Sequence, residues 1–151
     1  MFSTLLRDRE GDLWLGAFDA GYHISFCPEE LSGHSLPFIK ETLGFDTNIN
    51  CMYEDEGGVL WFNQERNGIG LYAPDSGTYN LHPYSQKRNV EVNLIARSRF
   101  PNTVWIASAF VPTVFRAQRQ GMDIRFTDTL LLAHDGAETG HVTGILEDPA
   151  G

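Results

Sequence analysis

The sequence has 151 residues, a length typical of one domain. Apolar residues make up 42% of it and charged residues 21%, which is enough for a packed core and argues against a disordered chain. The formal net charge is −9, so the acidic surface argues against nucleic acid, and also against direct contact with anionic membranes.

Neither a membrane-spanning segment nor a secretory signal is predicted. No apolar run approaches the roughly 18 residues that a spanning helix needs, and the N-terminus lacks a basic region followed by an apolar one. If the protein is exported, we expect its signal to lie outside this chain. Cys27 and Cys51 are too few for a disulfide scaffold, so two buried thiols are predicted, with a single disulfide as the alternative.

The first unit of the chain, residues 1–47, is predicted to contain four short strands. An apolar run over 2–6 is followed by an Asp/Gly turn and then by a strand that carries Trp14. An Asp side chain accepts hydrogen bonds from the N–H groups of such a turn, and Gly adopts a conformation closed to residues with a Cβ. The third strand is predicted over 22–26 and the fourth over 35–40.

The same pattern recurs in units 48–90 and 91–140. Their strands are predicted around Trp61 and over 49–53, 69–73, 78–82, 92–96, 104–106, 113–117 and 122–126. The sequence favours no helix beyond one short turn within 127–133. Residues 142–151 match 49–58 position by position, which predicts that a truncated fourth unit, 141–151, begins with a strand over 142–148.

The three tryptophans, Trp14, Trp61 and Trp105, lie 47 and then 44 residues apart. In the third unit the turn has lost its Asp and Gly, and Asn102 stands in the glycine's place as the next-best residue for positive φ. Four strands per unit of this length, with one Trp each, predict an all-β protein: a β-propeller fragment of about three four-stranded antiparallel blades plus the first strand of a fourth. A β-solenoid is the main rival, but its coils are much shorter.

The motif carried by Glu54-Asp55, Gly58 and Leu60-Trp61 resembles the two-component regulator propeller repeat. Units one and four share it, and unit three departs from it at its Asp and Gly. The resemblance implies the periplasmic, non-catalytic sensory region of a hybrid two-component sensor histidine kinase. Such regions often detect oligosaccharides, so an oligosaccharide or another small molecule is the implied ligand. None of the kinase portion is present in this chain.

The loops that join the second and third strands differ between units, as a binding site requires. They offer hydrogen-bond donors, acceptors and an aromatic face, which together suit a sugar. The candidate ligand-binding residues are Asp19, Glu65, Arg66, Asn67 and Phe110. No cofactor is implied, and no metal site is predicted, because His134 and His141 match no known ligand spacing.

Structural roles are predicted for the other prominent residues. The three tryptophans are expected to pack between blades, and Asp8, Asp55 and Asp148 to cap turns. The acidic run 54–56 is predicted to be a solvated turn rather than a cation site.

Two other function classes stay open. A carbohydrate-active enzyme, a glycosidase or lyase, would need two carboxylates about 5 Å apart in a pocket for a retaining mechanism, and Asp19 with Glu65 is the pair to test. A protein-interaction scaffold is the third possibility.

Three blades cannot close a propeller of about seven, so we also expect a homo-oligomer, joined through exposed blade faces or by exchange of the terminal strand.

Overall fold

The computed structural model of the chain describes residues 2–17, 21–26, 31–35, 48–64, 67–83, 91–108, 111–132 and 142–148, and for residues 2, 21–26 and 31–35 the main chain alone. Within these residues the chain forms twelve strands in three antiparallel four-stranded sheets, and it contains no helix. The all-β prediction is confirmed. The helical turn predicted within 127–133 is wrong, because a strand continues through Leu131. No helix capable of spanning a membrane occurs in the described residues.

The first sheet, blade 1, contains β1 (Phe2–Arg7), β2 (Leu13–Ala17), β3 (Gly21–Phe26) and β4 (Leu31–Ser35), paired in chain order. The fourth strand, predicted over 35–40, lies over Leu31–Ser35, and residues 36–40 lie outside the described residues. Gly33, a residue that normally favours turns, lies inside this strand opposite Ile24.

The second sheet, blade 2, contains β5 (Met52–Glu54), β6 (Leu60–Gln64), β7 (Gly68–Ala73) and β8 (Thr78–Pro83). Its first strand begins three residues later than the predicted 49–53. The reason is a side chain on β6: the Asn63 Oδ1 atom accepts the main-chain N–H groups of Asn50 at 2.6 Å and Cys51 at 2.9 Å. These two amides are therefore not available to a ladder.

The third sheet, blade 3, contains β9 (Val92–Arg97), β10 (Thr103–Ser108), β11 (Thr113–Gln120) and β12 (Asp123–Leu131). Residues 142–148, predicted as the first strand of a fourth unit, make no ladder with the described residues. In the three blades the first strand pairs with the second strand of its own blade. Residues 142–148 instead lie along blade 3, where the Asn93 amide donates to the Val142 carbonyl at 3.0 Å.

In blades 1 and 2 the turn between the first two strands is closed by an aspartate, as predicted. Asp8 accepts the indole N–H of Trp14 at 2.8 Å, and Asp55 accepts that of Trp61 at 2.9 Å. Gly11 and Gly58 have φ values of 96° and 76°, and Asn102 has a φ of 51°. Asn102 therefore takes the conformation that glycine has in the other two turns, as expected.

The hydrophobic core lies between the blades. Trp14 packs with Leu60 and Phe62 between blades 1 and 2, and its ring meets Tyr72 edge-on at a centroid distance of 5.7 Å. Between blades 2 and 3, Trp61 packs within a buried cluster that includes Ile69, Leu71, Ile95, Val104 and Ile106. The predicted packing role is confirmed for these two tryptophans.

Trp105 is different, because it is only partly buried on the outer face of blade 3. The Arg116 guanidinium lies 5.6 Å from its ring centroid, and the indole N–H donates to Glu147 at 3.1 Å. Residues 142–148 thus supply the carboxylate that the turn of blade 3 lacks.

Candidate functional site

The connections of the three sheets alternate between two ends of the molecule. One end, the turn end, carries the Asp/Gly turns. The opposite end, the loop end, carries the connections between the second and third strands of each blade and those between successive blades. All the predicted ligand-binding residues belong to the loop end by their position in the chain.

Of those residues the structure describes Asn67. It lies in the turn between β6 and β7, where its main-chain N–H donates to the Gln64 carbonyl at 2.7 Å. Asp19, Glu65, Arg66 and Phe110 lie outside the described residues, so their proximity to one another stays a prediction. The carboxylate pair Asp19 and Glu65 stays a prediction for the same reason.

The last two residues of β6, Asn63 and Gln64, bring buried polar groups to the loop end. Both side chains are 0% exposed. The Gln64 Nε2 atom donates to the Tyr79 hydroxyl at 2.8 Å, but the Gln64 Oε1 atom and the Asn63 Nδ2 atom have no hydrogen-bond partner among the described residues. One buried acceptor and one buried donor therefore stand unsatisfied just before the loop that carries Glu65, Arg66 and Asn67.

This polar pair is specific to blade 2. The matching positions are Gly16 and Ala17 in blade 1 and Ala107 and Ser108 in blade 3. An unsatisfied buried polar group costs about 1–3 kcal/mol of stability, and folded proteins rarely retain one without a compensating partner. The pair thus marks blade 2 as one place where the loop end departs from a purely structural repeat. A third such atom among the described residues, Asn93 Oδ1, lies on β9 of blade 3.

Burial also affects Tyr79, the hydrogen-bond partner of Gln64. Its ring stacks against Phe62 with a centroid distance of 6.3 Å and an angle of 18° between the planes. Desolvation raises the pKa of the phenol to about 12, against the opposing effect of the bond from Gln64. The hydroxyl therefore stays protonated and serves as a neutral hydrogen-bonding group.

The acidic side chains at the turn end form ion pairs that link neighbouring blades. Both carboxylate oxygens of Asp55 contact the Arg119 guanidinium of blade 3, at 2.6 and 3.1 Å. Burial on its own would raise the pKa of Asp55, but the hydrogen bonds from Arg119 and Trp61 outweigh it and hold the pKa below its usual value.

The two neighbours of Asp55 are also paired across blades: Glu54 with Arg9 at 2.7 Å, and Glu56 with Arg97 at 3.0 Å. The acidic run 54–56 is therefore a set of inter-blade ion pairs, which the prediction of a solvated turn missed. No cluster of three metal-ligating side chains occurs in the described part of the chain.

No protein-family model matches the sequence, and neither does any curated protein. A solved structure that it resembles is the extracellular domain of BT4673, a proposed one-component system of B. thetaiotaomicron. The TM-score is 0.65 at 20% sequence identity, over 85% of this chain and 16% of that one.

The likeness is one of fold. The chain spans less than a fifth of that domain's length. Another structure, of the extracellular domain of BT4673 described as a proposed hybrid two-component system, gives a TM-score of 0.28 at 11% identity, over 84% of this chain and 29% of that one. That score carries no information about the arrangement of the blades.

Sequence reasoning did not find the polar pair on β6 or the inter-blade ion pairs. The signal for the first was present: aligned on their tryptophans, the three units carry small residues at these two positions except in blade 2, which carries Asn63 and Gln64.

Proposed function

We propose that the chain is part of the extracytoplasmic sensory region of a one- or two-component regulator, where its loop end binds an oligosaccharide without turnover. The observation that carries this proposal is the buried, unsatisfied donor and acceptor of Asn63 and Gln64 at the loop end. The likeness in fold to an extracellular domain supports the setting.

A hydroxyl-rich ligand suits this pair because each sugar hydroxyl both donates and accepts a hydrogen bond. Both side chains are fully buried, so a ligand reaches them by displacing the part of the chain that covers them. One sugar hydroxyl can then satisfy the Asn63 amide nitrogen, and another can satisfy the Gln64 amide oxygen. The neighbouring candidates Asp19, Glu65, Arg66, Asn67 and Phe110 would add charged and aromatic contacts from the same end.

The contacts of the described carboxylates in the Asp/Gly turns favour binding without turnover. Asp8, Asp55 and Glu54 are engaged with tryptophan and arginine side chains at the turn end. Asp8 and Glu54 line a small cavity at the turn end. Their hydrogen bonds to Trp14 and Arg9 commit both carboxylates to stabilising the blades rather than to acting as an acid and base pair.

Calorimetric screening of the chain against a panel of defined glycans tests the proposal. We expect at least one glycan to bind, and Gln64→Met to weaken it about fivefold or more, because it removes one hydrogen bond worth about 1 kcal/mol. Glu10→Gln, at the opposite end, is the matched control and should leave the affinity unchanged.

Three outcomes would contradict the proposal. Equal affinity of Gln64→Met and the unaltered chain would place the ligand elsewhere. Release of reducing ends that depends on Asp19 and Glu65 would favour the enzyme. Absence of any glycan binding, together with a specific protein partner recovered by the whole protein, would favour the scaffold.

A further inference from the structure

Blades 2 and 3 each bury one apolar face against the preceding blade. Leu60 and Phe62 of β6 form that face in blade 2, and Val104 and Ile106 of β10 form it in blade 3, all of them at most 3% exposed. The matching residues of blade 1 are Leu13 and Leu15, which are only partly buried.

The first strands repeat this contrast. Met52 of β5 packs against the core between blades 1 and 2, and Ile95 of β9 is buried between blades 2 and 3. The matching residue of β1 is Leu5, which is 63% exposed. We call the face formed by Leu5, Leu13 and Leu15 the open face. It has the composition of a blade interface, and no described element covers it.

At the turn end, each interface between two blades has one charged residue from each blade at its edge. We call these two places the rim positions. The forward position is the residue after the turn aspartate or its equivalent, and the rear position is the residue before it. Across the interfaces the forward residue pairs with the rear residue of the next unit: Arg9 with Glu54, Glu56 with Arg97, and Arg99 with Glu147.

The sign of these pairs alternates along the chain. The forward residue is basic in unit one, acidic in unit two and basic in unit three, and the rear residue of the following unit has the opposite sign each time. The third pair, formed by Glu147, shows that residues 142–148 occupy the place of a first strand although they make no ladder. The main-chain N–H of Arg9 also donates to Glu54 at 3.0 Å, and that of Arg99 donates to Glu147 at 2.8 Å.

The remaining rear position is Arg7, on the rim of the open face, and no acidic residue among those described forms an ion pair with it. We propose that the open face receives a further four-stranded blade of the same repeat whose forward rim position is an Asp or a Glu. Apolar complementarity attracts any blade of this type, and the charge at the rim selects which one docks.

The same rule disfavours a second copy of this chain stacked end to end. The outermost blade of the copy carries Arg99 at its forward position, already paired with Glu147 at 3.3 Å, so the copy offers Arg7 no acidic forward residue. Of the three forward positions in the chain, Glu56 has the required sign, and it is already paired with Arg97 at 3.0 Å.

A fusion of residues 48–90 to the N-terminus of the full chain tests the proposal, because this unit carries Glu56 at its forward position. We expect the added unit to slow amide hydrogen exchange throughout β1 and β2. Replacing the added unit's glutamate by arginine should weaken that protection about two- to fivefold, the usual range for an exposed ion pair. Arg7→Glu in the same fusion should restore it.

The matched control is a fusion of residues 1–47, whose forward residue is Arg9. It adds a blade of the same size but should protect β1 and β2 less than the 48–90 fusion does. Equal protection with glutamate and with arginine at the added forward position, or failure of Arg7→Glu to reverse the effect, would overturn the rim rule. Absence of protection from either fusion would overturn the docking of a blade altogether.

Discussion

Replacing Asp55 by alanine should destabilise the chain far more than the same change at Asp8. Both residues close an Asp/Gly turn and accept an indole N–H, at 2.8 Å in Asp8 and 2.9 Å in Asp55. Asp55 alone also holds a guanidinium from the next blade, that of Arg119, whose side chain is 12% exposed while that of Asp55 is 2% exposed. The two sites thus differ by one buried ion pair.

The magnitudes follow from these contacts. Asp8→Ala removes the hydrogen bonds to Trp14 and to the main-chain N–H of Asp12, for an expected loss of about 1–3 kcal/mol. Asp55→Ala removes the equivalent bonds and also leaves the Arg119 charge buried without its partner. Breaking a buried pair in this way costs about 3–5 kcal/mol.

Urea denaturation followed by tryptophan fluorescence gives both free energies of unfolding. Arg97→Met, which breaks the exposed pair with Glu56, is the control for a solvated ion pair and should change stability by less than about 1 kcal/mol. Equal losses for Asp8→Ala and Asp55→Ala would refute the structural role assigned to Arg119.

Three further results are expected. Trp61→Ala should cost about 3–5 kcal/mol through lost core packing, whereas Asp19→Ala with Glu65→Ala should leave the melting temperature nearly unchanged; the reverse order in thermal melts would contradict the arrangement of the blades. The folded-state pKa of Asp55 lies below its unfolded-state value, so ionised Asp55 stabilises the folded chain above about pH 4, and this stabilisation is lost as the pH falls through the folded-state pKa. Urea denaturation between pH 7 and 2 measures this loss, which should be smaller in Asp55→Asn. Light scattering should detect a homo-oligomer joined through the outer strand of blade 3, where Phe126, Leu130 and Leu131 are exposed, because Arg7 disfavours end-to-end stacking on the open face; a monomer at micromolar concentrations would refute it.

The repeat made the fold predictable from sequence. Strand β6 is covered on both faces and its apolar residues run consecutively. The same run of apolar residues around Trp14 and Trp105 marks the centre of the other two blades. The local rules failed where tertiary contacts override them. Gly33 lies within a strand, paired with Ile24 of the neighbouring strand. Strand β5 is short because Asn63, 13 and 12 residues later in sequence, binds the amides of Asn50 and Cys51 that would extend it.

The candidate site was less predictable. Position in the chain assigns Asp19, Glu65 and Phe110 to one end of the molecule, but it does not give their mutual distances. The inter-blade ion pairs were not predicted because Arg9 and Glu54 are remote in sequence. Their opposite charges indicate an ion pair only when it is known that the two blades pack against each other. Pairing at the rim is thus a property of neighbours, which no single repeat reveals.

The bond between Trp105 and Glu147 has a consequence for the evolutionary history of the array. In the third unit Ser98 stands where the other turns have aspartate, and the carboxylate comes from the following unit. Hydrogen bonds lower the pKa of Glu147; the largest effect comes from the Arg99 main-chain N–H, and smaller ones come from Trp105 and Ser98. The shared carboxylate therefore stays ionised. Recombination that deleted the following unit, or moved the third one elsewhere, would leave an indole without its acceptor. The third unit therefore depends on the unit that follows it. A duplication that preserves the bond to Trp105 has to copy both units together.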